Sequence, residues 1–496
     1  MRPTNVLFVL SDEHSRRILG CYGNPVVRTP NLDALAARGT RFASAYCQTP
    51  ICVPSRASLA TGRYAHAVNS WDNATPYVGP EAPSWGHRLT AQGHTVTTIG
   101  KLHYRRAGDP SGFPDQRVPM HVVEGVGDLY GLLRGDMPPR PHSRRYVVEA
   151  RPGESEYIRY DRAIAEATAR WLAEEAGDQR RPWVLFVGFV SPHFPLVVPE
   201  RYFNLYPLDS VPLPVQHAPE AWPRHPVIDL RRRQQALEEP LDEKTLRKAL
   251  AAYYGLVSFL DEQVGIVLDA LSEAGLAATT RVMYSTDHGE LLGDHGLWWK
   301  SAMYESSVAV PLIMAGPDVP RGHVVRTNAM LVDIFPTLVE AVGARLADED
   351  RDLPGESLIG LAREVDRPRT AFSEYHAIMS PSGTFMLRTA RYKYVHYVGY
   401  PPQLFDLAVD PDETRDLGTD PQYADVRAAC VRELRGIVDT EQVDARAKAD
   451  QRRRIEVAGG VEAILAGGAK IAYTPAPGEF DPAPFEATRR APPRPA

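Results

Sequence analysis

Short apolar runs that stop at charged residues, with long amphipathic stretches between them, constrain this chain more than any other feature. Asn5-Val-Leu-Phe-Val-Leu10 has the apolar majority of a strand buried on both faces, and Asp12-Glu13 follows it after Ser11. Runs at 94–99, 183–190, 281–286 and 310–315 read the same way. Segments 29–38, 161–175, 243–274 and 330–343 carry helical patterns instead. Pro30 suits the first turn of the first of these and Gly39 its exit. In the third, Leu246, Leu250, Tyr253, Leu256 and Leu260 recur at three- and four-residue steps. Strands alternating with helices predict an α/β fold, a large and mostly parallel sheet between helices.

At 496 residues there is enough chain for a sizeable core and more than one packed unit. The expected division is a catalytic domain over 1–345, a smaller α+β unit with an antiparallel sheet over 346–440, and an extended tail over 441–496. The hairpin segments 385–389 and 392–397 and a helix at 424–438 belong to the second unit. Seven prolines in 474–496 argue for an extended end. Residues 104–160, rich in Gly, Pro and Arg without a sustained period, read as a long insertion over the sheet edge. A formal net charge of -6 argues against a nucleic-acid partner. Four cysteines without a CxxC pair make no disulfide framework. No stretch approaches the ~20 apolar residues of a membrane span, and 5–10 is too short for a signal-peptide core, so a cytoplasmic enzyme is expected.

The chemistry concentrates at Cys52-Val-Pro-Ser-Arg-Ala-Ser-Leu-Ala-Thr-Gly-Arg63. Pro54 fits only a first helical turn, which puts Cys52 at a helix N-terminus among free N–H groups, a place that favours an anion. Arg56 lies one turn on. Taken alone, Cys52 reads as a buried structural thiol, free or bonded to Cys47, or as a thiolate nucleophile. Asp12-Glu13 and Asp287-His288 each follow a strand, and ligands gather at the carboxyl ends of strands in open α/β sheets. Two such pairs meeting over one divalent cation would suit Ca²⁺ or Mg²⁺, with the imidazole leaning towards Mn²⁺.

The twelve-residue string resembles the signature of the type I, formylglycine-dependent sulfatases, whose fold is the alkaline phosphatase-like α/β sandwich. The resemblance implies that Cys52 is oxidised to formylglycine by a formylglycine-generating enzyme that reads Pro54 and Arg56. It implies that the aldehyde hydrate attacks a sulfate monoester at a divalent metal, Ca²⁺ first, and forms a covalent sulfo-enzyme before releasing sulfate and an alcohol or phenol. It places the metal on Asp12, Glu13, Cys52, Asp287 and His288, with Glu13 standing where the usual partner is Asp or Gln. Gly100-Lys-Leu-His103, Ser191-Pro-His-Phe-Pro195 and Lys300 resemble further family strings. They imply that Lys101, Lys300 and Arg56 stabilise sulfuryl charge, that His193 acts as the acid, and that His103 orients or deprotonates the hydrate. Asn73 is similar to a polar substrate-binding residue of the phosphonate hydrolase branch.

Asp287-His288, Pro401-Pro-Gln-Leu-Phe-Asp-Leu407 and Gln451-Arg-Arg-Arg454 look most like choline sulfatases and phosphonate monoester hydrolases. Hydrolysis of phosphonate monoesters or phosphodiesters at the same site is therefore the alternative, and a homo-oligomer is expected. Arg134, Arg140 and Tyr130 are expected to shape the pocket. Trp298 and Trp299 are either core or a cage for a quaternary ammonium. His14, His66 and His295 match no role.

Overall fold

The computed structural model describes residues 2–80, 82–135, 137–467 and 473–477; residues 478–496 of the proline-rich end lie outside them. Eight strands form the main sheet: β1 (Asn5–Asp12), β2 (Gly39–Phe42), β3 (Val96–Lys101), β4 (Asp115–Met120), β5 (Val184–Pro192), β6 (Thr280–Thr286), β7 (Leu312–Ala315) and β8 (His323–Val325). Their order is β8-β2-β7-β6-β1-β5-β3-β4. Every pairing is parallel except those of β7 with β6 and β2. Central β1 shows why its sequence is apolar throughout. Val6, Phe8 and Leu10 pack into one core, and Leu7 and Val9 into another on the opposite face.

Helices cover both faces. Those that position chemistry are α1 (Pro30–Ala37), α2 (Cys52–Thr61), α3 (Glu156–Glu174), α4 (Glu243–Glu273) and α5 (Ile334–Ala341). In α4 the stripe of Leu246, Leu250, Tyr253, Leu256, Leu260, Val264, Val267 and Leu271 is buried, as its spacing requires. A separate antiparallel sheet follows: β9 (Ala371–Tyr375), β10 (Thr384–Arg388), β11 (Tyr392–Tyr397) and β12 (Tyr400–Asp406), in that order. The helix α6 (Ala424–Ile437) packs against it through Cys430 and Leu434.

Two segments differ from the sequence reading. The insertion 104–160 contributes β4, an edge strand of the main sheet. Residues read as an extended tail contain the helix α7 (Thr440–Val457), capped by Asp439, whose side chain accepts the Gln442 N–H. Its buried positions, Thr440, Val443, Asp444, Ala447 and Gln451, recur at three- and four-residue steps, so one narrow stripe holds it down beneath an arginine-rich exterior. All four cysteines are free, so Cys52 is not bonded to Cys47.

Gly100 shows how the sheet aims a side chain. The β3–β4 register slips between Ile99 and Lys101, and Gly100 has φ +96 there. A Cβ on Gly100 would lie 2.3 Å from the Gly188 carbonyl oxygen. Gly100→Ala is expected to cost at least about 2 kcal/mol, read as a lower urea midpoint, because the strain and the clash act together.

Candidate active site

Cys52 is the first residue of α2, and all ten residues of that helix are buried. Ile51 offers no side-chain cap; Asn73 Oδ1 accepts the Val53 N–H at 3.1 Å instead. The strand ends β1 and β6 bring Asp12, Asp287 and His288 to the same spot. One ligand atom each from Asp12, Cys52, Asp287 and His288 lies within 4.8 Å of the others. Cys52 Sγ is 3.2 Å from His288 Nε2 and 3.7 Å from Asp12 Oδ1. His288 Nδ1 lies 3.0 Å from the Gly289 carbonyl, which can only accept, so Nδ1 carries the proton in the neutral ring and Nε2 presents a lone pair to the cluster.

The outer oxygens are held by cations. Arg56 donates to Asp287 Oδ2 (2.7 Å), Asp12 Oδ2 (2.9 Å) and the Lys101 carbonyl (2.7 Å). Lys101 Nζ reaches Asp12 Oδ2 at 2.8 Å. Burial alone would raise the Asp12 pKa, but Lys101 and Arg56 outweigh it and hold the carboxyl well below its ordinary range. His288 shows the converse. Burial lowers its pKa, yet Asp287 and Cys52 overcome that and lift it to about 9, so the centre of the cluster favours positive charge.

Glu13 points elsewhere. Its φ is 64, and its Oε2 meets Lys300 Nζ at 2.9 Å and His193 Nε2 at 3.2 Å. It groups with Asp12 and His193, not with Asp287 and His288. Lys300 Nζ is 3.0 Å from His193 Nε2, and His193 Nδ1 lies 2.7 Å from the Phe194 carbonyl. Burial first, then Lys300, hold His193 well below its ordinary pKa. The ring is therefore neutral, protonated at Nδ1, and Nε2 accepts from the Lys300 ammonium.

A cavity of about 150 Å³ opens over Cys52. Asn73, Lys101, His103, His193 and Lys300 line it together with Cys52. Phe194, Tyr146, Trp299 and Tyr473 form an aromatic wall. Trp298 packs in the neighbouring core, and the cation already over the Phe194 ring is Lys300, at 5.3 Å. Arg140 lines the cavity and stacks on Tyr130 at 4.2 Å, whereas Arg134 pairs with Asp444 at 3.0 Å. His14 bonds Tyr284, His66 bonds Glu374, and His295 bonds Gln216. His103, Trp299, Ser301 and Met379, all lining the cavity, have positive φ, a clustering of backbone strain around one site.

Three contributors escape the sequence reading. Asp161 on α3 accepts the Val190 and Ser191 N–H groups, both at 2.8 Å, and so fixes the end of β5 before His193. Glu290, three residues after Asp287, is buried beside Glu13; burial and that neighbour push its pKa well above the usual range, making it a neutral acid. A buried acid amid apolar residues was the only signal for either. Thr474 lies 371 residues from the histidine it touches, His103, and had none.

The sulfatase family pattern matches residues 4–344, and a second one, "N-sulphoglucosamine sulphohydrolase, C-terminal", matches 293–440. This chain belongs to the sulfatase family, within the alkaline phosphatase superfamily. It is a sulfuric ester hydrolase. Arylsulfatase K of Homo sapiens is 30% identical over 468 residues, covering 90% of this chain and 84% of that protein. Choline-sulfatase of Rhizobium meliloti (strain 1021) is 29% identical over 479 residues, covering 91% and 90%. The phosphonate monoester hydrolase structure of Agrobacterium radiobacter superposes with a TM-score of 0.70 at 25% identity, covering 90% of this chain and 96% of that one. No helix among the described residues is long and apolar enough to cross a membrane.

Proposed function

We propose that the protein hydrolyses a small organic sulfate monoester with an oxidised Cys52 as its nucleophile. The observation carrying this reading is Cys52 at a helix N-terminus, within ligand distance of Asp12, Asp287 and His288, at the floor of a cavity ringed by Lys101, His193 and Lys300. The relatives named arylsulfatase K and choline-sulfatase support a sulfate ester as substrate.

The donor set fits a divalent cation. Carboxylate oxygens suit Ca²⁺ or Mg²⁺, and the His288 nitrogen admits Mn²⁺. Asp12, Asp287, His288 and the Cys52 position would hold it; we assign Glu13 to the leaving-group side, because Lys300 and His193 occupy its Oε2. When present, the cation would supply Lewis acidity and formylglycine a hydrated aldehyde.

The remaining work falls to side chains of the chain itself. Arg56 and Lys101 hold Asp12 ionised, and Lys101, which lines the cavity, presents fixed positive charge to incoming anionic oxygens. Lys300 and His193 serve the departing oxygen as a pair: the Lys300 ammonium donates to His193 Nε2 and Glu13. Asn73 caps the nucleophile helix from the cavity wall. The aromatic wall suits a flat or apolar leaving group and keeps water from it.

Because α2 is buried along its whole length, the formylglycine-generating enzyme must meet the Cys52–Arg63 segment before the fold closes. Intact mass is expected to fall by about 18 Da when the thiol becomes an aldehyde in cells supplying that enzyme, and to stay unchanged when folded, purified protein is exposed to it. Chelation is expected to remove at least 90% of aryl sulfatase activity, by ~1.4 kcal/mol per tenfold, and Ca²⁺ or Mn²⁺ to restore it. Full turnover of an aryl sulfate after exhaustive chelation would refute the cation assignment. The phosphonate ester alternative has the shared fold and the Asn73 resemblance behind it, and the relatives named as sulfatases weigh against it.

A further inference from the structure

Gln451 and Arg454 lie one turn apart on α7, and both reach the loop 71–75, which carries Asn73. Gln451 is 2% exposed, and its Nε2 donates to Asp72 Oδ2 at 2.8 Å and to the His376 carbonyl at 2.7 Å. Both amide hydrogens are thus spent on acceptors. Arg454 donates to the Ala74 carbonyl at 2.8 Å, and the Trp71 indole donates to Asp450 Oδ2 at 2.9 Å. Helix α7 begins at Thr440, where the second family pattern ends, so this grip belongs to neither pattern.

The gripped loop is itself tightly turned. Asp72 Oδ1 accepts the Ala74 N–H at 2.8 Å, a turn closed across Asn73. Thr75 Oγ1 accepts the Trp71 and Asp72 N–H groups at 2.7 and 2.9 Å. Asp72 is fully buried, so its other oxygen needs a donor, and Gln451 supplies it. Asn73 directs its Oδ1 to the Val53 N–H at 3.1 Å and lines the cavity. Val53 follows Cys52, and its N–H is among the donors that the start of a helix leaves without an intrahelical partner. A line of contacts therefore runs from α7 to the residue beside the nucleophile, from Gln451 to Asp72, along the chain to Asn73, and across to Val53.

We propose that Gln451 is a positioning residue: by holding Asp72 it aims the Asn73 side chain, and through it the start of α2 on which residue 52 sits. A small misplacement of that helix end costs rate without costing the fold, because the packing of buried α2 is untouched. The inference rests on the sulfate ester reading only for its kinetic consequence; the placement of Asn73 is independent of the substrate.

Gln451→Met keeps the length of the side chain and removes both bonds. Hydrogen exchange in the peptide containing Val53 is expected to quicken in Gln451→Met and in Asn73→Ala alike, with the β6 peptide unchanged. Per converted Cys52, Gln451→Met is expected to lower kcat on an aryl sulfate about tenfold. In an Asn73→Ala background the same substitution is expected to change kcat by less than about twofold, because the path is already cut. A merely structural Gln451 would lower kcat by the same factor in both backgrounds, and that result overturns the proposal. So does Gln451→Met with unchanged exchange at Val53, with exchange quickened equally in β6, or with kcat within about twofold of the wild type. Asp72→Asn turns the accepting oxygen into a donor and breaks the same bond from the other end; it carries the same expectations and decides the question if Gln451→Met does not fold. Absence of sulfate ester turnover in fully converted wild type would remove the functional reading instead, and hydrogen exchange would still decide whether Gln451 holds Asn73.

Discussion

Cys52→Ala is expected to lower kcat/KM on an aryl sulfate by at least about 10⁴-fold, the scale on which loss of a nucleophile acts. The same change should leave the fold intact. The thiol is small, and its removal from a helix whose neighbours Val53 and Ala57 remain packed costs about 1 kcal/mol or less. Circular dichroism and a melting curve close to those of the unsubstituted protein, alongside lost turnover, would separate chemistry from stability. A Cys52→Ala protein that still turns over the ester would mean that Arg56, Lys101, Lys300 and any bound cation act on water alone. Residual activity should therefore be compared with the uncatalysed rate.

Arg56→Met is the second substitution with a large expected effect, and here stability and activity should fall together. The Arg56 guanidinium is buried and spans Asp12 and Asp287, whose side chains are also fully buried. Methionine fills much of the volume but leaves two carboxylates with Lys101 as the nearby cation. Breaking a buried ion pair from one side costs about 3–5 kcal/mol, because the remaining charge is desolvated and unpaired. Turnover per converted Cys52 should drop by at least about 10³-fold as Asp12 and Asp287 lose the guanidinium that aims them. Excess divalent cation is expected to restore part of the melting temperature and none of the lost rate, since it replaces a charge but not the bonds that aim the carboxylates. A variant as stable as the wild type would show that the three groups do not depend on one another.

Much of the fold was legible because buried parallel strands announce themselves. β1, β3, β5, β6 and β7 all coincide with apolar runs, and α4 with a long periodic stripe. β2 was not legible: Gly39-Thr-Arg-Phe42 is four residues long and carries an arginine. β4 hid in a polar edge, and α7 behind a narrow buried stripe, more polar than apolar, among arginines. At the site, residues at strand ends could be named because topology gathers strand ends. What sequence could not give was direction. Glu13 follows Asp12 in the chain, yet a left-handed backbone turns its carboxylate to Lys300 instead of His288. His193 reads as the acid from sequence, and only the Phe194 carbonyl one residue on shows which nitrogen, Nε2, is turned to Lys300. Such roles depend on single hydrogen bonds, which residue type and spacing do not encode.

The oxidised state of residue 52 is the centre of the account, and one titration addresses it. Preparations matured to different extents, from untreated host to host with abundant formylglycine-generating enzyme, provide a series in the fraction of aldehyde, read from the mass of the peptide bearing residue 52. Aryl sulfatase kcat plotted against that fraction should be a straight line through the origin. A substantial rate at zero aldehyde, or a rate indifferent to the fraction converted, would contradict it.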